Sequence, residues 1–273
     1  MKILVNDQDA AVMQKMRAIL EPLGHEVTEV AVRNDALALL EKEVFEVVIC
    51  NPTPLPHARP VVLSIRRHGR NYPYIILISP DLTPADVIKD GANNVLRPDF
   101  SADQLTEIVE SGGRLRHLVQ RIGDESEDFR SAGGVIAKSA FNQIFLSALE
   151  RADRYAEQAY LLFISITNYH NIQQTEGPYA SDYAMARLSQ FLVRERRQSD
   201  IIAQTAKNEF CLMLQRPLYQ TEPTDAANRF GEALKQLTDM SSTPTMSVDL
   251  AVRLITIPVG TLVTQHVLHF DPQ

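Results

Sequence analysis

Between two β-prone apolar runs, Ile201-Ile202-Ala203 and Phe210-Cys211-Leu212-Met213-Leu214, the residues Ala206-Lys207-Asn208-Glu209 make the tip of a hairpin. A tip of two glycines and two carboxylates lets a phosphate approach the backbone and gives a divalent metal hard oxygen ligands. This one has no glycine: Ala206 and Lys207 add side chains, Asn208 is an amide, and Glu209 alone is a carboxylate. Just upstream, Arg197-Gln198-Ser199-Asp200 sets a guanidinium and a carboxylate close together. A guanidinium fork pairs with phosphate or a purine edge, and a carboxylate accepts N–H donors, so these two side chains suffice to begin a binding site. Arg229 on the following helix is a second candidate contact, while the same spacing at Arg121-Ile122-Gly123-Asp124 is read as chance.

The elements that must position such residues are legible from periodicity. Short β-rich runs (Ile3-Val5, Glu26-Val30, Val47-Cys50, Tyr74-Ile78, Asn94-Leu96) alternate with helical spacing such as Val12, Met16, Ile19, Leu20. Five βα units imply a parallel, doubly wound sheet, whose ligands sit at the carboxyl ends of the strands. The residues after Val5, Cys50, Ile78 and Leu96 are therefore the ones expected to do chemistry. Helical periodicity continues from 101 to about 130, with Gly112-Gly113 expected to weaken or kink it, and ends in "GDESEDFRSAGG". An amphipathic helix in "AFNQIFLSALERADRYAEQ", a strand in "YLLFISIT" and a helix in "YASDYAMARLSQFLVRERR" then lead to the hairpin.

Composition narrows the function classes. At 273 residues the chain is long enough for two domains, each with its own core. Its 45% hydrophobic and 22% charged residues are those of a soluble globular protein, without an apolar run of membrane-spanning length. A formal charge of −7 argues against a nucleic-acid surface. The N-terminus enters a strand directly, Lys2-Ile3-Leu4-Val5, without a leader pattern, so a cytoplasmic location is expected. Cys50 and Cys211 lie in apolar runs without a second thiol or histidine at ligand spacing, which makes them buried reduced thiols and leaves no metal site.

Across residues 1 to about 120 the chain resembles the receiver domain of bacterial response regulators, in "KILVNDQD", "FEVVICNPTPLP", "PYIILIS" and "GANNVLRPDF". The resemblance implies a flavodoxin-like (βα)5 fold. It places the acidic metal pair on Asp7 and Gln8, the phosphoryl acceptor on Asn51, the hydroxyl on Ile78 or Ser79, and the lysine on Arg97. An amide oxygen at Asn51 lacks the charge and basicity to attack phosphorus, so no phosphorylation is expected there. An Asn51 beside Arg97 is expected to form a neutral hydrogen-bonded pocket instead.

From about 135 to 260 the order of elements resembles the GGDEF domain of diguanylate cyclases, which condense two GTP molecules into cyclic di-GMP. The signature falls on Ala206-Lys207-Asn208-Glu209-Phe210. The Asp-x-Asp pattern that carries the other metal ligand reads Ser165-Ile166-Thr167, the family's Asn-Asp for the guanine falls on Gln173-Gln174, and Asp182 matches the acid of a later Gly-Asp. Arg197 and Asp200 stand in the register of the family's inhibitory Arg-x-x-Asp site for its product. The resemblance implies an α+β domain with a mixed central sheet.

These substitutions lead to an expected organisation of a pseudo-receiver domain at 1–120, a helical linker at 121–134 and a C-terminally shortened GGDEF-like domain at 135–273. The expected function is a non-catalytic bacterial signalling adaptor, not an enzyme, with no cofactor and cyclic di-GMP as allosteric ligand at Arg197, Asp200 and Arg229. Its partners would be signalling proteins (a kinase, regulator or effector) and a second copy of itself, and neither nucleic acid nor membrane. The alternatives are a scaffold without a nucleotide ligand and a divergent diguanylate cyclase.

Overall fold

Short β-prone runs fold as strands β1 (Lys2–Asn6), β2 (Glu26–Val30), β3 (Val47–Cys50), β4 (Tyr74–Ile78) and β5 (Asn94–Leu96). The structure is a computed structural model and describes residues 1–55, 57–237, 239–243 and 245–270. The five strands form one sheet in the order β2-β1-β3-β4-β5, with every pairing parallel. Strands β3 and β4 are buried along their whole length, which is why they read as unbroken apolar runs. Helices α1 (Ala10–Leu20), α2 (Arg33–Lys42), α3 (Arg59–His68), α4 (Pro84–Lys89) and α5 (Ala102–Gly123) make the crossovers and the final helix. This is the flavodoxin-like order, with its crevice at the carboxyl ends of β1 and β3.

Helix α5 runs unbroken through Gly112 and Gly113, contrary to the expected kink. A Cβ at Gly112 would lie 2.9 Å from a ring carbon of Tyr74, so the glycine lets the helix backbone rest on that buried ring. Packing outweighs a propensity cost of about 1 kcal/mol. The helix ends at Gly123, so the expected helical linker is corrected: residues 124–134 are not helical. The Asp124 carboxylate accepts the Ser126 N–H at 2.9 Å, a local turn that competes with further helix.

The second half of the chain builds α6 (Lys138–Tyr155), β6 (Ala159–Ile166), α7 (Tyr169–Thr175), α8 (Pro178–Glu195), β7 (Ile201–Ala206), β8 (Glu209–Gln215), α9 (Glu222–Lys235), β9 (Val248–Ile257) and β10 (Leu262–Phe270). Its sheet has the order β10-β9-β6-β8-β7, and each pairing is antiparallel. The expected mixed sheet is thus corrected in detail. Strands β8 and β9 run the same way, but β6 is inserted between them, giving a split βαβ unit without a parallel pair. One sheet face presents Leu162, Ile164, Phe210 and Leu212 to Leu188 and Leu192 of α8 and Phe230 of α9. By the period of two, Phe163, Ser165, Glu209 and Cys211 lie on the other face.

Contacts divide the chain into two units. The first comprises Met1–Gln120, Ala148–Glu157 and Pro258–Gly260; the second holds Arg121–Ser147, Gln158–Ile257 and the chain from Thr261 on. Both cysteines are free and buried, and burial pushes the Cys50 thiol up to about 12, leaving no reactive thiolate. Among the described residues no helix is long and apolar enough to cross a membrane.

Candidate functional site

At the carboxyl end of β1 the chain turns into α1 through Asp9, whose carboxylate accepts the N–H groups of Ala11 and Val12. This turn buries Asp7, which lies 3.3 Å from Asn51 Nδ2 through each of its oxygens, while Gln8 points to solvent. The Asn51 amide thus donates toward the buried Asp7 carboxylate. Asn51 Oδ1 accepts the Thr53 N–H at 3.0 Å, so the amide is used at both ends.

The expected partner of Asn51 is corrected. Arg97 is exposed and pairs with Asp99 at 3.4 Å, a near neighbour that satisfies it without folding back into the crevice. Arg33, at the start of α2, takes the place instead. Its Nη2 donates to the carbonyls of Asn51, Pro52 and Thr53 at 3.2, 3.0 and 3.1 Å. Asp7, Gln8, Arg33 and Asn51 line one cavity of about 300 Å³. Ser79 follows β4, and its Oγ accepts the N–H groups of Asp81 and Leu82, which makes it a turn former.

At the hairpin between β7 and β8, Asn208 holds the tip to the end of β6. Its Nδ2 donates to Ile166 O at 2.9 Å, and its own carbonyl accepts the Ile166 N–H at 2.8 Å. Glu209 is buried and pairs in register with Ser165. Its carboxylate accepts Thr205 Oγ1 at 2.8 Å and faces two guanidinium groups, Arg121 Nη2 at 2.7 Å and Arg253 Nη2 at 2.8 Å. Neither arginine was singled out as its partner from sequence, because pairing Arg253 with Glu209 requires the register of three strands. Thr167 is exposed and donates to Asp249 O at 3.3 Å, away from Glu209. Gln173 and Asp182 are brought together on the wall of a separate cavity of about 640 Å³, which Lys207, Gln204 and Tyr169 also line.

The Arg-x-x-Asp segment closes on itself between α8 and β7. The Arg197 N–H donates to Asp200 Oδ2 at 3.0 Å, and Arg196 Nη1 donates to Asp200 O at 2.8 Å, so the local turn fixes where the carboxylate lies. Burial pushes the Asp200 carboxyl above its usual range, opposed by the Arg197 N–H and by the charges of Arg197, Arg229 and Arg196. Arg197, Asp200 and Arg229 line one cavity of about 500 Å³, walled by Leu214, Leu218 and Ala226. A residue that sequence reasoning missed, Glu222 of α9, lies in the same cavity and pairs with Arg197 Nη1. The other Glu222 oxygen accepts the Leu218 N–H. That N–H, together with the Arg197 guanidinium, holds the Glu222 carboxyl below its ordinary value.

Residues 131–270 match the family model "Diguanylate cyclase, GGDEF domain", which spans just over half of the chain. The chain belongs to the GGDEF diguanylate cyclase family. This membership overturns the expectation that the protein is not an enzyme, which rested on individual positions, in the signature, at Ser165 and in the shortened C-terminal segment, and not on the domain as a whole.

Several solved structures similar to part of this chain are described as response regulators or receiver domains. The chemotaxis response regulator CheY4 of Vibrio cholerae is 22% identical over 41% of this chain and 97% of its own, with a TM-score of 0.37. A response regulator receiver domain protein from Clostridium thermocellum is 23% identical over 43% and 98%, with a TM-score of 0.39. The signal receiver domain of an HD domain-containing protein from Pseudomonas fluorescens Pf-5 is 21% identical over 43% and 89%, with a TM-score of 0.39. No curated protein matches the chain. The N-terminal sheet has the flavodoxin-like strand order, and the GGDEF domain follows it in the chain.

Proposed function

We propose that this GGDEF protein is a cytoplasmic signalling receptor that binds cyclic di-GMP in the cavity of Arg197, Asp200 and Arg229, and passes that binding to a protein partner. The supporting observation is the convergence of these three residues on one cavity of about 500 Å³. A dinucleotide offers phosphates to Arg197 and Arg229, and a guanine edge whose N1 and N2 protons the Asp200 carboxylate accepts. The apolar wall of Leu214, Leu218 and Ala226 suits the faces of a base. The receiver crevice works in this reading without an aspartyl phosphate, since residue 51 is an amide that is already engaged by Asp7 and Thr53. The partner is a kinase, regulator or effector, and a second copy of the chain is a further candidate.

A second reading is favoured by Gln173 and Asp182 sharing a cavity with Lys207: a guanine nucleotide bound there, an amide and a carboxylate reading the base and an ammonium facing the phosphates. Thermal unfolding of the full chain with added cyclic di-GMP or GTP tests both. The first reading expects a rise in Tm with cyclic di-GMP that is lost in Arg197→Ala and Arg229→Ala. A shift with GTP alone, insensitive to Arg197→Ala, would transfer the function to the second cavity.

A further inference from the structure

The Arg197 fork is occupied before any ligand arrives. Its Nη1 pairs with Glu222, and Glu222, the first residue of α9, is itself held from behind by the Leu218 N–H of the preceding loop. The Glu222 side chain is only 11% exposed, whereas that of Arg197 is 49% exposed, so the carboxylate is the buried member of the pair and the guanidinium the one a ligand can reach. A negative charge in the first turn of a helix is also favoured by the exposed N–H groups there. Glu222 and a phosphate therefore compete for the same donors on Arg197.

We infer that Glu222 is the residue that sets the ligand threshold of this cavity, as an internal carboxylate that an incoming phosphodiester must displace from Arg197. The inference rests on the cyclic dinucleotide reading of the cavity and specifies its selectivity. A ligand with two phosphates can replace the lost ion pair at Arg197 while a second contact forms at Arg229; a mononucleotide gains only one of these. Discrimination between the two classes is then partly the work of Glu222. Because Arg197 is half-exposed, solvent screens the pair, and its loss is worth a modest factor.

Equilibrium dialysis of the full chain against cyclic di-GMP and against GMP, in wild type and in Glu222→Gln, tests this. The glutamine keeps an oxygen to accept the Leu218 N–H but no charge for Arg197. Expected is about three- to tenfold tighter cyclic di-GMP binding in Glu222→Gln, and a larger relative gain for GMP. Glu222→Ser, which suits the first turn of a helix, should show the same direction and serves if the glutamine variant does not fold. Wild-type binding that neither substitution tightens overturns the role of Glu222 and leaves the cyclic di-GMP reading standing. No binding of cyclic di-GMP to any of the three proteins overturns that reading and the inference together. Binding seen only in the variants supports both.

Discussion

Arg121 Nη2 lies 2.7 Å from Glu209 Oε1, so the signature's remaining carboxylate is gripped by a guanidinium from the last turn of α5. Arg253 takes the other oxygen, and Arg121 also lies over the Phe163 ring, 5.1 Å from its centre. Burying a carboxylate is costly unless it is paired, and here two cations and a hydroxyl satisfy it. Arg121→Ala should destabilise the protein by about 1–3 kcal/mol, since Arg253 and Thr205 remain. Cyclic di-GMP affinity should not change, because Arg121 does not line the Arg197 cavity. Urea unfolding checks the first statement and ligand titration the second; unchanged stability would mean that Glu209 does not depend on this arginine.

In the crevice at the ends of β1 and β3, Asn51→Asp would place a second carboxylate within 3.3 Å of Asp7, where an amide now donates. The variant should lose about 1–2 kcal/mol at neutral pH and regain it with millimolar Mg²⁺, for which the paired carboxylates supply oxygen ligands. Melting curves with Mg²⁺ or with EDTA measure this. An equal Tm in wild type and variant under both conditions would contradict the pairing of Asn51 with Asp7.

Arg33 ties down the carbonyls of residues 51 to 53 through one nitrogen. In Arg33→Ala the amides just after β3 should exchange with deuterium faster than in wild type, while those of β4 remain protected. Unaltered exchange after β3 would remove Arg33 from the crevice.

Gly112→Ala tests the contact of α5 with Tyr74. In a solvent-facing helix position the change would stabilise, but here the added methyl meets the ring at 2.9 Å. A loss of about 1–3 kcal/mol is expected by chemical denaturation. A gain would show that the ring yields at no cost.

The titration of Asp200 gives a stability prediction. Burial raises its folded-state value above the ordinary 3.8, so the carboxyl costs nothing below 3.8, and stability falls as pH rises through the folded value. Asp200→Asn keeps an oxygen for the Arg197 N–H and removes that cost. Relative to wild type it should be more stable at pH 7, with the advantage vanishing near pH 3, while ligand affinity drops. An advantage independent of pH would point to something other than the buried charge.

What was legible in the sequence was local. The five parallel strands were readable because each is a short β-prone run between helical segments, and Arg197 with Asp200 because their turn closes within three residues. The partnerships that define the sites join residues distant in sequence. Glu222 reaches Arg197 across the β7–β8 hairpin, Arg253 reaches Glu209 only through the β6–β8 and β6–β9 registers, and Arg33 reaches the end of β3 from α2. Arg97 failed as a prediction for the converse reason: an acid two residues away, Asp99, satisfied it first. The pairing of strands around β6 was equally hidden, since periodicity identifies a strand and not its neighbours.

The measurement that bears most directly on the central claim is isothermal titration of the full chain with cyclic di-GMP, in wild type and Arg197→Ala. Saturable binding at micromolar concentration or tighter, weakened about tenfold or more by Arg197→Ala, is the predicted result. Absence of heat with millimolar cyclic di-GMP, or binding that Arg197→Ala leaves unchanged, would contradict the assignment of this cavity.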